Sequence, residues 1–187
     1  MTENIRILTL DAYGTPAMWS TLEKFAYHEA KGNILWTLGE DQAILRGGHN
    51  RLGVQSTFNV PSIIAVKGHM NMKRRQSVAL NKSSLVLRDR HTCAYCGNVF
   101  KDDQLRMEHV HPKARGGLFT WTNIVAACEP CNQRKACRTP AEAKMPLLYV
   151  PYMPDRNEGM IMRNRNILAD QMAFLMNGVS VKSRLHL

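Results

Sequence analysis

The chain contains no apolar run near the ~20 residues that a membrane-spanning helix requires. Its opening, MTENIRILTLDAYG, places an acid and polar groups where a secretory leader would carry basic charge and then an apolar stretch. These absences predict an intracellular, cytoplasmic protein with no membrane partner. Cysteine is scarce and odd in number, five in 187 residues, which argues against a disulfide framework and toward metal binding or simple burial. Internal repeats and low-complexity tracts are also missing. Acidic residues are few, 15 against 25 Lys and Arg, and the formal net charge is +10. A chain this basic is expected to meet a polyanion, nucleic acid first, although basic charge also serves solubility. Its length suits one sizeable domain or two small ones.

Residues 5–10 (IRILTL) read as a strand, and Trp19, Leu22, Phe25, Ala26 and Ala30 recur at helical spacing over 19–30, with Ser20 as cap and Gly32–Asn33 as stop. Three β-rich runs follow at 34–38, 43–47 and 56–66, the last two joined by a hairpin loop containing GHNRLG. This first part is expected to be a scaffold. The basic stretch 67–84 reads as a surface connection in which Lys73, Arg74 and Arg75 either touch phosphates or form a solvated face. Residues 140–154 are punctuated by proline and read as extended. Ile161, Leu168, Met172 and Leu175 then mark one helical stripe over 158–177, ended by Asn177 and Gly178. Six of the eleven methionines fall between 145 and 176, where a gap-filling core is expected over an adaptable partner surface.

Cys93-Ala-Tyr-Cys96 and Cys128-Glu-Pro-Cys131 form two C-x-x-C pairs 31 residues apart. Each suits a knuckle that points two sulfurs at one metal, and four thiolates close a tetrahedral zinc shell with no open position. Such a zinc is structural and staples whatever lies between the pairs. A redox C-x-x-C would need only one pair beside a strand-helix unit. Cys137 is left over, a buried or idle thiol.

Between the pairs runs LRMEHVHPKARGG, with an acid and two histidines within four positions, and the second pair continues as CNQRK. The ordered pattern C-x-x-C, acid-His-V-x-P, GG, Asn, C-x-x-C-N-x-x-K, over about residues 88–140, resembles the HNH endonuclease family in its zinc-knuckle form. The resemblance implies a ββα-metal module, a hairpin and helix cradling one divalent ion. It implies His109 as general base, Glu108 and Asn132 as metal ligands, and Asn123 as the asparagine tying the loop to the strand of the base. In that family the acid is more usually Asp, so Glu108 adds a methylene.

The chemistry asks for these residue types independently. Phosphodiester hydrolysis needs a water deprotonated near neutral pH, which suits imidazole, and a cation to offset transition-state charge. A carboxylate and an amide oxygen are hard donors suited to Mg²⁺ or Mn²⁺. Adjacent strand residues face opposite sides, so Glu108 and His109 can share a site only where the strand ends, twists or bulges. Period-two alternation would put His111 on the face of His109, in reach of phosphate or metal. The competing expectation, a polar residue paired at the hairpin edge, is preferred.

Lys113, Arg115, Arg134 and Lys135 are expected to form a phosphate-binding rim, with a solvated basic face the alternative for each. Trp121 is expected to pack rather than stack on a base, and Arg88 and His91 to lie on the surface.

The expected fold class is α+β: a β-rich region with one helix and a basic linker (1–80), an HNH module stapled by zinc (81–140), and an extended segment with an amphipathic helix (141–187). The expected function is a metal-dependent nuclease acting on DNA rather than RNA. A zinc-ribbon nucleic-acid-binding module without catalysis is the alternative, and a thiol redox protein fails on the second knuckle. One active site per chain makes a nick the simplest event. A double-strand break would call for two visits, a homodimer or a partner protein.

Overall fold

The computed structural model describes residues 5–68 and 78–186. Lys73, Arg74 and Arg75 lie outside the described residues. The chain is mixed α+β and divides into two compact units: Met1–Arg75 with Arg156–Val179, and Gln76–Asp155 with Ser180–Leu187. Among the described residues no helix is long and apolar enough to cross a membrane.

The first unit is a four-stranded sheet of order β2-β1-β4-β3, built from β1 (Ile7–Leu10), β2 (Pro16–Ser20), β3 (Ile34–His49) and β4 (Gln55–Val66). β1 pairs parallel to β4, and the other pairings are antiparallel. Period-two alternation divides the apolar residues between the two faces. Ile7, Ile64 and Val66 pack with Phe25 of α1 (Leu22–Ala30), while Leu8, Leu10, Ile63 and Ala65 pack with Met160 and Leu175. Those last two belong to α4 (Arg156–Met162) and α5 (Ala169–Met176). Buried Gln171 stitches α5 to the sheet by donating from Nε2 to the carbonyls of Arg6 and Ser62, each at 2.8 Å.

Several sequence expectations change here. Trp19 and Ser20 belong to β2, and Thr21 takes the N-cap position of α1. The runs 34–38 and 43–47 are one strand, β3, whose register shifts between Leu38 and Asp41 beside Gly39 at φ 83°. The expected hairpin loop is present: Asn50 Oδ1 accepts from the amides of Leu52 and Val54 at 2.9 and 3.0 Å, an Asx-type turn completed by Gly53 at φ 76°. The stripe over 158–177 is two helices, because Asn164 Oδ1 accepts from the Asn166 amide at 3.1 Å and turns the chain between them.

The second unit contains α2 (Lys82–Arg88), a hairpin of β5 (Leu105–His109) and β6 (Ile124–Cys128), and α3 (Glu129–Lys135). Asn81 caps α2 by accepting from the Ser84 amide at 2.9 Å. β6 is wholly buried, as its run of Ile, Val and Ala suggests. Arg88 is not on the surface: its side chain and that of Asp89 are both 0% exposed and joined at 2.7 Å. The guanidinium also donates to the carbonyls of Trp121 (2.7 Å), Tyr152 (3.0 Å) and Ile124 (2.9 Å), and Asp89 Oδ2 accepts from the Ala126 amide at 2.7 Å. His91 does stand near solvent, its Nδ1 2.8 Å from Asp102.

Replacing Arg88 by Met leaves Asp89 charged and sealed from water, and three carbonyls lose their donor. Breaking a buried pair from one side typically costs about 3–5 kcal/mol. Urea unfolding of Arg88→Met should show a loss of this order, and a midpoint like that of the wild type would remove Arg88 from the role of hub.

Candidate active site

The two knuckles come together. The Sγ atoms of Cys93, Cys96, Cys128 and Cys131 all lie within 4.8 Å of one another, with Cys96 and Cys128 3.9 Å apart. A tetrahedron with Zn–S near 2.3 Å has sulfur–sulfur edges of about 3.8 Å, so the cluster has the dimensions of a closed four-sulfur shell. Local geometry builds it. In the first knuckle the chain reverses at Gly97 (φ 77°), whose amide donates to the Cys93 carbonyl at 3.0 Å. In the second, Cys128 ends β6 and caps α3, and Pro130 in the first helical turn has no amide to leave unpaired.

The electrostatics of the cluster also call for a cation. Burial would raise the Cys93 thiol, but backbone hydrogen bonds from Cys128, Cys96 and Tyr95 bring it down to about 7. Cys128 and Cys131 are both pushed up, first by burial, with Cys93 adding to each and Cys128 adding to Cys131, while hydrogen bonds from Cys131 partly offset the rise at Cys128. Four sulfurs this close cannot all ionise unless a positive ion shares their charge. Cys137 is exposed and stands outside the cluster.

Glu108 and His109 end β5, opposite Val125 and Ile124 of β6. Because the strand stops there, the two neighbours line one cleft of about 530 Å³ with Pro112, Lys113, Ala114, Ala136 and Cys137. The strand end is what lets adjacent residues share a site. His111 lies beyond it, in the loop, where its Nε2 is 2.9 Å from the Arg115 carbonyl oxygen.

Asn123 holds that loop together. Its Oδ1 accepts from the His111 amide at 2.8 Å, and its Nδ2 donates to the carbonyls of Leu118 (2.8 Å) and His111 (3.2 Å). The Asn123 carbonyl accepts from the Val110 amide at 2.8 Å. Gly117 packs so closely on the His111 and Pro112 carbonyls that a Cβ would collide with them, a physical reason for the second glycine of the GG pair. Trp121 is buried, with Nε1 donating to the Val78 carbonyl at 2.8 Å, as its packing role requires.

The expected phosphate rim is reduced. Lys113 and Arg134 are exposed, but Arg115 makes a bidentate pair with Glu142 at 2.7 and 2.8 Å. Two hydrogen-bond sources, the Thr139 amide and then Arg115, hold the Glu142 carboxyl at about 2, below the usual carboxylate range. Lys135 is not a rim residue. Its side chain is 0% exposed and its Nζ is 2.5 Å from Glu108 Oε1. The signal was present in the sequence as helical spacing: Asn132 and Lys135 are three apart, hence on one side of α3.

Two further features escape sequence reading. The Tyr95 hydroxyl is buried with no hydrogen-bond partner among the described residues, and burial followed by the Glu108 carboxylate raises its pKa well above the ordinary phenol value. Ala136, just after α3, sits at φ 50°, ψ −141°, a conformation that favours glycine and stores strain at the wall of the cleft.

The Lys135–Glu108 pair is asymmetric, because the lysine is sealed while the Glu108 side chain is 15% exposed. Glu108→Gln therefore strands a buried ammonium, a change expected to cost about 3 kcal/mol or more, whereas Lys135→Met leaves a carboxylate that water can reach. Chemical denaturation should rank Glu108→Gln as the less stable variant. The reverse order would show that Glu108 is the more deeply desolvated partner.

Residues 93–148 match the family model for HNH endonuclease. The CRISPR-associated endonuclease Cas9 of Corynebacterium diphtheriae is 41% identical over 51 residues, which are 27% of this chain. The matched stretch spans only 5% of the length of that protein. The paired knuckles, the acid-histidine strand end and the loop-locking asparagine fall inside the matched segment, and the chain thus carries an HNH endonuclease domain at residues 93–148.

Proposed function

We propose that the protein is a metal-dependent endonuclease that hydrolyses phosphodiester bonds of DNA, with His109 as the general base that activates water. The observation that carries this reading is the strand end that turns Glu108 and His109 into one cleft. Imidazole there is positioned to take a proton from an attacking water, a contribution worth about 10²–10⁴ in rate in well-placed sites. Asn123 acts at one remove: by pinning the backbone from 110 to 118 it sets where β5 ends. Lys113 and Arg134 supply sequence-independent attraction to phosphates.

Glu108 and Asn132 are the residues that would hold a divalent ion, Mg²⁺ or Mn²⁺. Their donor chemistry fits: a carboxylate and an amide oxygen, both hard, with Asn132 on the side of α3 that brings Lys135 to Glu108. When bound, such an ion offsets charge developing on the phosphate and the leaving oxygen. The four-cysteine cluster is read as a structural zinc site, coordinatively closed and so separate from the chemistry.

One observation favours a second reading. Lys135 already neutralises one oxygen of Glu108, an arrangement that a zinc-ribbon DNA-binding module without catalysis could also use. Supercoiled plasmid incubated with the protein in Mg²⁺, Mn²⁺ or EDTA separates the two. Ion-dependent nicking supports the nuclease, whereas binding without cleavage in every ion supports the module.

On the same plasmid, His109→Ala should lose about 10²–10⁴ in rate while keeping its fold and DNA affinity. Asn132→Ala should lose activity and regain part of it at high Mn²⁺. His111→Ala should stay largely active, because its ring meets the Arg115 carbonyl. An active His109→Ala beside a dead His111→Ala would move the base to His111.

One zinc per chain should co-purify, measurable by elemental analysis. Cys93→Ser or Cys128→Ser should lower both stability and activity, since structural zinc contributes on the order of 10 kcal/mol of folding free energy in small modules. A zinc-free double mutant that folds and cuts normally would eliminate the structural role.

A further inference from the structure

The loop that Asn123 pins carries two large apolar side chains into solvent, Leu118 at 71% and Phe119 at 56% exposed. Neither belongs to the two core clusters seen among the described residues, and hydrophobic burial does not account for them. The Phe119 ring stands beside the candidate base, with its centroid 6.1 Å from that of His109 and the rings tilted by 53°. Phe119 also forms part of a second cleft of about 430 Å³, apolar in its walls, which include Leu80, Trp121 and Met153. Thr120 and Thr122, whose hydroxyls lie 3.3 Å apart, are the hydroxyl-bearing residues of its lining.

We propose that Phe119 and the apolar cleft it borders receive an unstacked nucleobase from the nucleotide next to the scissile phosphate. This rests on the nuclease reading of His109. Three observations converge on a nucleobase. The occupant must present a flat apolar face to an exposed phenyl ring and some polar edge to two threonine hydroxyls, which is the chemistry of a base. It is expected to come attached to negative charge, because the exposed Lys113 lies on the preceding turn of the same loop and the chain is +10 overall.

The third observation is distance. With its centroid 6.1 Å from that of His109, the Phe119 ring is close enough to take the base of a nucleotide adjoining a phosphate held at His109. A base held there anchors the strand on the side of the attack. Stacking tolerates any base, so Phe119 would position substrate without selecting sequence.

The experiment compares binding of a short fluorescein-labelled oligothymidylate with an abasic strand of equal length, with no Mg²⁺ or Mn²⁺ added and no chelator, so that no cleavage intervenes and the four-cysteine site keeps its metal. The phosphates are the same in both, and only the bases differ. Phe119→Ala should reduce the thymidylate-to-abasic affinity ratio by roughly five- to a hundred-fold, the range expected for losing one base–aromatic stack. Phe119→Trp should retain the ratio. Phe119→Leu, which keeps apolar bulk without a π-face, should lose most of it.

A wild-type ratio in both the Ala and Leu variants would overturn the proposal, as would equal loss in Trp and Ala. Because Phe119 is mostly exposed, thermal melts of the three variants should match the wild type, and the Leu and Trp forms still decide the question if the Ala form does not fold. A wild-type protein that leaves plasmid intact in every ion would sink the nuclease reading. The oligonucleotide ratio would still report separately on the cleft.

Discussion

The HNH segment depends on the sealed Arg88–Asp89 pair. Among the described residues β6 has only β5 as a strand neighbour, so the amides and carbonyls on its other edge need partners from elsewhere. Asp89 accepts from the Ala126 amide, Arg88 donates to the Ile124 carbonyl, and the Ala94 amide of the first knuckle donates to the Ala126 carbonyl at 2.8 Å. The edge strand that carries Cys128 and faces His109 is thereby held by charged side chains from the end of α2. A guanidinium suits the task because its donors form a rigid fork able to serve a carboxylate and several carbonyls at once. The pair is better understood as fixing one arrangement than as adding stability, since desolvating two charges offsets much of their attraction.

A sulfur cluster and an open cleft then sit at opposite ends of this hairpin. The four cysteines are drawn from a knuckle before β5 and a knuckle at the junction of β6 and α3, so a shared cation would clamp the whole span between them. Glu108 and His109 stand at the other end of the same two strands, where pairing stops and the cleft opens. α3 serves both ends: Cys131 lies in its first turn and Lys135 in its last, so the helix that completes the sulfur shell also delivers the buried ammonium to Glu108. Tyr95 lies where the charges of both ends are felt, its hydroxyl pushed up by burial, by Glu108 and by Cys93 and Cys131.

What could be read from the sequence was short-range. Two sulfurs three positions apart, an acid beside a histidine, and a Gly-Gly turn have their chemistry written into their spacing, and the structure brings the four cysteines together as the spacing required. Strands β1, β3 and β4 and helix α1 were legible from their apolar periods, although the boundary at Trp19–Ser20 moved because the short β2, beginning at Pro16, carries little strand signal of its own. The Asn164–Asn166 turn was invisible to a helical stripe, since periodicity does not register a local side-chain bond competing with the helix.

Tertiary structure alone decided the fate of the charges and the ends. Arg88 and Lys135 look like any solvated basic residue in the sequence, because a lone cation is by default best hydrated. Each is buried because distant partners converge on it: carbonyls of Trp121, Ile124 and Tyr152 with Asp89 for one, Glu108 for the other. Likewise, alternation places His111 on the face of His109 only while the strand continues, and the length of β5 is set by Asn123, twelve residues from His111, reaching back across the loop. The identity of the chemical groups was thus local information. Their solvation and their relative placement were set by contacts between residues far apart in the chain, which no spacing rule encodes.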